Sequence, residues 1–211
     1  DRLDYLQRDS FYSGVSEGVI SADRIIKMLN VSNDQLVIES KGIYSIEKFI
    51  IARRLMYWQV YLHKTVLGAE HLLIHILKRA KELANKGVKL PASNALKKFI
   101  YTEYSLKDFE HNPDLIYQFA QLDDVDISFG IKEWSNCSDN VLSSLCTRLL
   151  NRELFKVELQ NAPFKEEKIK QIKKQIRKDY KLKGNEVNYF VFSGSVVTVS
   201  YTHLRAHETI P

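Results

Sequence analysis

The sequence predicts a mainly α-helical protein with a small α+β piece near its C-terminal end. Two observations carry this. Apolar residues recur at helical spacing, behind Ser or Asp residues placed as caps, through most of the first 150 positions. After that the pattern changes. Residues 153–160 (ELFKVELQ) alternate apolar and polar as a half-buried strand does, a lysine-rich helix follows, and residues 188–192 (NYFVF) read as another strand. Strand, helix, strand over about 45 residues suits a crossover unit or a small α+β lobe. The expected organisation is a helical body over 1–150 and an α+β piece over 151–194.

The elements follow in order. Residues 1–13 carry Leu3, Leu6 and Phe11 among charges, as a helix does, and Gly14 and Gly18 interrupt them. Ser21 is placed to cap a helix over 22–29, with Ile25, Ile26 and Leu29 on one face. Residues 35–40 (QLVIES) read as a short strand, turned by Lys41 and Gly42. Ser45 caps the longest helical signal, 46–85, which predicts two helices or one bent helix with Gly68 as the break. Leu, Ile, Tyr and Trp on several of its faces predict that much of it is buried. Further helices are expected over 93–104, over 114–122 behind Pro113, and over 140–151 behind Ser138 or Asp139. Asp123, Asp124 and Asp126 lack the glycine and distal Glu of a calcium loop, so they read as a capping cluster.

Composition narrows the function classes. Hydrophobic residues are 45% and charged residues 27% of the 211, an ordinary globular balance that excludes a mainly disordered chain. No apolar run approaches the ~20 residues of a membrane span, so no membrane partner is expected. Two cysteines, Cys137 and Cys146, make no disulfide framework and point to a reducing, cytoplasmic setting. They have no adjacent base and read as idle thiols. The net charge of +5 arises in one place: residues 165–183 carry +6, leaving the remainder near neutral. With Ile169, Ile172 and Ile176 at helical spacing, that stretch reads as a solvated amphipathic helix, and nucleic acid is not expected as a partner. No glycine-rich phosphate loop occurs, which excludes P-loop and Rossmann readings. His71 and His75 stand one helical turn apart, but Leu72 occupies the position where a zincin needs Glu. Trp58, beside Tyr57 and Tyr61, is expected in the core. Residues 195–211 continue no periodicity and resemble translated sequencing-adapter read-through, so they are expected to be a non-native tail whose His203 and His207 carry no chemistry.

The first nine residues, DRLDYLQRD, concentrate ionisable and phenolic groups. On a helix, Asp1, Tyr5 and Asp9 project along one face, with Arg2 beside Asp1. Two carboxylates and a phenol in a row suit a site for a metal and a phosphorylated ligand, and equally a salt-bridged exposed face. The string resembles the D-[KR]-x-D-Y-x-x-R-D segment of HD-domain phosphohydrolases. About fifty residues on, RRLMYWQVYLHK (53–64) is similar to the R-x-x-L-x-x-x-x-Y-x-H-K block of deoxynucleoside triphosphate triphosphohydrolases. Order and separation both agree.

The resemblance implies an HD-domain-like helical body and a metal-dependent phosphohydrolase that cleaves dNTPs to deoxynucleoside and triphosphate. Asp1 would be the last ligand of one divalent metal, Mn, Mg, Fe or Zn. Arg2 and Arg53 would meet the triphosphate, Tyr5, Asp9 and Tyr61 would line the sugar, and His63 and Lys64 would end the second block. Nucleoside triphosphate is thus the implied substrate, and assembly into a homo-oligomer is possible in such a family. The family's His and His-Asp metal motifs are missing, so the 211 residues are expected to be an inactive fragment of an active parent. The alternative is a nucleotide-binding regulatory or scaffold protein that keeps the HD fold without useful turnover.

Overall fold

Left-handed backbone at Gly14 (φ +71°), a region that glycine enters without steric cost, ends the first helix, α1 (Arg2–Ser13). The computed structural model describes residues 1–160 and 162–194 and divides the chain into two units, Asp1–Leu67 and Gly68–Ser193. The residues expected to form a non-native tail, 195–211, lie outside the described residues. Helices dominate both units, as the periodicity predicted.

In the first unit, α2 (Ala22–Lys27) follows Ser21, and a hairpin of β1 (Leu29–Ser32) and β2 (Gln35–Ile38) comes next. The strands are antiparallel, with Leu29 opposite Ile38 and Ser32 opposite Gln35. Asn33 and Asp34 both adopt positive φ (51° and 61°), the conformation a two-residue hairpin turn demands and Asn and Asp tolerate best. That turn takes Leu29 out of the expected helix and into a strand. α3 (Ile43–Met56) continues into a π-helical turn, Tyr57–Tyr61, and α4 begins at Lys64 and runs to Asn85. Leu6 of α1 and Met56 of α3 are fully buried and centre a small core with Ile20, Ala22 and Ala52. A Cβ on Gly18 would lie 2.7 Å from Ser10 Cβ and 2.9 Å from Met56 Sδ, so only glycine lets this turn press against both helices. α3 is apolar on every side, yet it buries only Ala52 and Met56, while Ile50 and Ile51 remain well over half exposed. Of the burial expected over 46–85, the α3 part is therefore confined to one stripe.

The break expected at Gly68 falls instead at Leu62 and His63, where the π-turn ends. Gly68 lies inside α4 for a different reason. A Cβ there would stand 3.3 Å from the Phe155 carbonyl oxygen, so the glycine admits the 154–157 segment against the helix.

In the second unit Leu72, Ile76, Ala80 and Leu83 form the buried stripe of α4. Around it pack α5 (Asn94–Tyr101), α8 (Asp124–Trp134) and α9 (Asn140–Leu150), while α6 (Leu106–His111) and α7 (Pro113–Ala120) meet Phe99 of α5 through Phe109 and Phe119. Caps set their starts: Ser93 Oγ accepts from Leu96 N, and Asp123 Oδ1 accepts from Val125 N and Asp126 N. The Asp123 to Asp126 cluster is thus a capping box, as expected. Trp134 is fully buried and its indole donates to the Pro91 carbonyl at 2.7 Å. Burial raises both thiols, Cys146 to about 12, which leaves them un-ionised and inert. α10 (Glu166–Asp179) buries no residue, in keeping with a solvated basic helix.

The α+β piece does not form among the described residues. Residues 153–160 are irregular, and 186–189 make one 3-10 turn. A strand needs a ladder partner for its backbone groups. Here both segments are held by their side chains. Leu154 and Phe155 pack on the helical core, Phe190 stacks on Tyr180 with centroids 5.5 Å apart, and Phe192 lies 4.2 Å from the His75 ring.

The polar centre of this unit is Arg79, only 6% exposed. Its guanidinium donates to Asp139 (3.1 and 2.6 Å), Glu82 (3.1 Å) and Glu186 (3.3 Å). Asp139 also caps α9, accepting from Leu142 N at 2.8 Å. Glu82 further accepts from Lys86 and from the Tyr189 hydroxyl, both at 2.6 Å, and these bonds, joined by Arg79, hold its carboxyl at about 2 instead of 4.5. Arg79→Ala strands carboxylates that depend on a buried cation and should cost about 3 kcal/mol in urea unfolding, whereas Lys86→Ala at the surface should cost less than about 1 kcal/mol. Because Glu82 is depressed in the folded state, its stabilisation is complete above about pH 4.5 and fades as pH falls toward about 2. Acid unfolding curves should show that slope in the wild type and a shallower one in Arg79→Ala.

Candidate functional site

Two helical ladders meet in the first unit. Along α1, Asp1, Tyr5 and Asp9 are four residues apart, and along α3 and its π-turn so are Arg53, Tyr57 and Tyr61. The solvent side of α1 is taken by an exposed i,i+4 pair, Arg8 to Asp4 at 2.7 Å. The buried side is fixed by Leu6. Tyr5 and Asp9 are left half-buried on the flank between them.

The Tyr61 hydroxyl donates to Asp9 Oδ2 at 2.7 Å, joining residues 52 apart in sequence. The rings of Tyr5 and Tyr61 meet edge to face with centroids 6.2 Å apart. Burial, reinforced by the bond to Asp9, pushes the Tyr61 phenol above its ordinary range, so it stays protonated and remains a donor. Asp9 Oδ1 accepts no hydrogen bond among the described residues and is open to a second donor. The Tyr57 ring lies 5.1 Å from that of Tyr61 and 5.6 Å from the Arg53 guanidinium carbon. Arg53 Nε is buried without a hydrogen-bond acceptor among the described residues. Gln59 steadies the π-turn by donating to Glu17 at 3.1 Å, a bond that lowers the Glu17 carboxyl.

Of the residues singled out from sequence, the structure brings Tyr5, Asp9, Arg53 and Tyr61 together. The other four stand apart. Asp1 and Arg2 are exposed at the start of α1, and Asp1 makes no side-chain cap bond. His63 opens α4: its Nδ1 accepts from Thr65 N at 3.3 Å and its carbonyl from Leu67 N at 3.0 Å. Lys64 follows, exposed on the first turn. Tyr57 belongs to the cluster and was missed as a site residue, although the 53, 57, 61 spacing marks it. Trp58, expected in the core, is instead over half exposed beneath the Arg54 guanidinium, 4.6 Å from its carbon. Residue 58 falls on the outer face of the turn that turns 57 and 61 inward.

The described residues offer no metal site of their own. No three His, Cys, Asp or Glu side chains among them stand close enough to share an ion. One exposed carboxylate, Asp1, does not supply the roughly four to eight donors a divalent cation takes. His71 and His75 are engaged in packing, with His75 4.2 Å and His71 5.1 Å from the Phe192 ring. Burial, with Lys78 nearby, lowers the His75 imidazole. The Asp9 cluster presents a cation, a carboxylate oxygen and tyrosine edges to a ligand carrying negative charge and hydroxyls.

Residues 20–92 match the family model described as the HD associated region. The chain is 55% identical to a phosphohydrolase of known structure from Bacteroides thetaiotaomicron and superimposes on it with a TM-score of 0.85, over 89% of this chain and 47% of that one. It is 38% identical over 160 residues to the uncharacterized protein YwfO of Bacillus subtilis, covering 74% of this chain and 34% of that protein. It is 28% identical over 211 residues to a Mycoplasma pneumoniae protein, the MG461 homolog, covering 90% of this chain and 44% of that protein. The chain thus spans between a third and a half of these relatives. The family match and the solved neighbour support the HD superfamily. No helix among the described residues is long and apolar enough to cross a membrane.

Tyr61→Phe removes the donor to Asp9 and leaves the ring in place. Thermal unfolding should report a loss of about 1 kcal/mol, with unchanged helix content by circular dichroism.

Proposed function

We propose that this chain is part of a metal-dependent HD-superfamily phosphohydrolase whose substrates are deoxynucleoside triphosphates. The observation that carries the proposal is the Tyr61 to Asp9 hydrogen bond, because it joins the two blocks, 1–9 and 53–64, whose sequences resemble that family. The solved neighbour, a phosphohydrolase by name, supports the hydrolase part.

In this reading each residue has a task that its chemistry suits. Arg53 and Arg2 neutralise triphosphate oxygens, which carry several negative charges that redistribute as the bond to the α-phosphorus breaks. Asp9, with Oδ2 held by Tyr61, turns Oδ1 to the sugar hydroxyl, and the Tyr5 and Tyr61 rings pack against the ring carbons. Asp1 contributes one carboxylate to a divalent ion, which would make water nucleophilic or polarise a phosphoryl oxygen when bound. No His-Asp dipeptide occurs in the 211 residues. The remaining ligands must therefore come from the rest of the protein, and the 211 residues alone should not turn over.

The test uses the whole protein. Each dNTP is incubated with Mn or Mg and the products are separated by ion exchange. Deoxynucleoside with inorganic triphosphate is expected, falling by at least about a hundredfold in Asp1→Ala and undetectable with residues 1–211 alone. Absence of turnover with every dNTP and both metals would overturn the hydrolase reading in favour of a nucleotide-binding protein. Turnover by residues 1–211 would overturn the assignment of metal ligands.

A further inference from the structure

We infer that Tyr57 is a positioning residue that holds Arg53 and Tyr61 in register, so that the phosphate end and the hydroxyl end of the site are set by one ring. The inference rests on the phosphohydrolase reading and adds to it the group that couples its two halves.

The geometry around Tyr57 is specific. Leu62 N donates to the Tyr57 carbonyl at 2.8 Å, an i to i+5 bond that makes Tyr57 the first residue of the π-turn. Such turns are rare inside helices and concentrate at functional sites. The Tyr57 ring is half-buried and meets Tyr61 edge to face, with an interplanar angle of 76°. The same ring lies within cation–π range of Arg53.

Arg53 has no carboxylate partner among the described residues, and its Nε has no acceptor. The Tyr57 ring, with the Tyr5 and Tyr57 hydroxyls beside the guanidinium, restrains this long, rotamer-rich side chain. Tyr61 in turn depends on its own orientation to reach Asp9 at 2.7 Å. A free guanidinium and a swinging phenol would both have to be ordered when ligand binds, and that ordering weakens affinity. Tyr57 removes the cost beforehand.

Three substitutions in the whole protein separate the ring from its volume and its hydroxyl. Tyr57→Phe keeps the ring and should hold KM for a dNTP within about twofold of wild type. Tyr57→Leu keeps bulk without an aromatic face and should raise KM about tenfold, the range of one cation–π contact, while kcat changes less. In an Arg53→Ala background, Tyr57→Leu should lose the part of its effect that passes through Arg53 and keep only the part that passes through Tyr61. Circular dichroism and unfolding midpoints identify any variant that has merely lost its fold.

Wild-type KM in Tyr57→Leu, full additivity with Arg53→Ala, or failure of Phe to rescue would each overturn the inference. Titration calorimetry with the same dNTP gives the same ranking without catalysis. A wild type that binds dNTP but does not turn it over therefore overturns the hydrolase reading and leaves Tyr57 to be decided by binding. A wild type that binds no dNTP overturns both.

Discussion

A guanidinium taken out of water must be neutralised by groups that the fold itself supplies, and the second unit is arranged around that requirement at Arg79. Asp139, Glu82 and Glu186 converge on it from α9's cap, from α4 and from the 3-10 turn at 186–189. Each acid has a second duty. Asp139 starts α9, Glu82 receives Tyr189 and Lys86, and Glu186 accepts from the Lys183 backbone N–H at 2.8 Å. One buried charge thus ties together three segments, adding to the apolar packing on α4 and to the Tyr189 bonds with Glu82 and His75. Hydrophobic burial supplies most of the driving force for this unit, while the ionic network selects which arrangement of the late segments satisfies the buried polar atoms.

The late segments also explain where sequence pattern misleads. Alternation of apolar and polar residues over 153–160 satisfies a strand template, but the same template describes any extended chain with one face on a core. What turns such a chain into a strand is a neighbour offering N–H and C=O groups, and no pattern within eight residues records whether one exists. Here Phe155, Tyr189, Phe190 and Phe192 find side-chain partners instead. The converse case is the hairpin at 29–38. Its existence turns on Asn33 and Asp34, whose tolerance of positive φ is a local property. Several helix starts were legible for the same local reason: Ser93, Asp123 and Asp139 cap within three residues of themselves, whereas Ser21 makes no side-chain cap bond and α3 begins at Ile43, ahead of the expected Ser45 cap.

The candidate site was legible in part, on similar grounds. Four-residue spacing places Asp1, Tyr5 and Asp9 on one face of α1, and the resemblance of 53–64 to a family block marks Arg53 and Tyr61. Neither could report that Tyr61 reaches Asp9, since that bond spans 52 residues and depends on the packing of Leu6 against the α3 side of the unit. Tyr57 went unmarked because a tyrosine next to a tryptophan reads as ordinary core. The π-turn that separates the two, turning Tyr57 inward and leaving Trp58 at the surface, has no clear sequence signature. Arg79 went unmarked as well: an arginine on an amphipathic helix reads as solvent-facing until the acids that neutralise it are known.

The two arginines, Arg79 and Arg53, show how a cation neutralised by carboxylates differs from one held by aromatic and phenolic groups. Arg79 spends its donors on three carboxylates, and a ligand anion could bind it only by displacing one of them and leaving that acid buried and unpaired. Arg53 lies against the Tyr57 ring with the Tyr5 and Tyr57 hydroxyls beside it, neutral groups that hold the charge more weakly than a carboxylate does. An aromatic face can therefore orient a guanidinium without using up its hydrogen-bonding capacity. Under the proposed function, an arriving oxyanion would form charge-assisted hydrogen bonds without displacing a carboxylate. Arg53 Nε, buried without an acceptor among the described residues, is thus left unpaired without stranding an acid, whereas the same omission at Arg79 would strand three carboxylates.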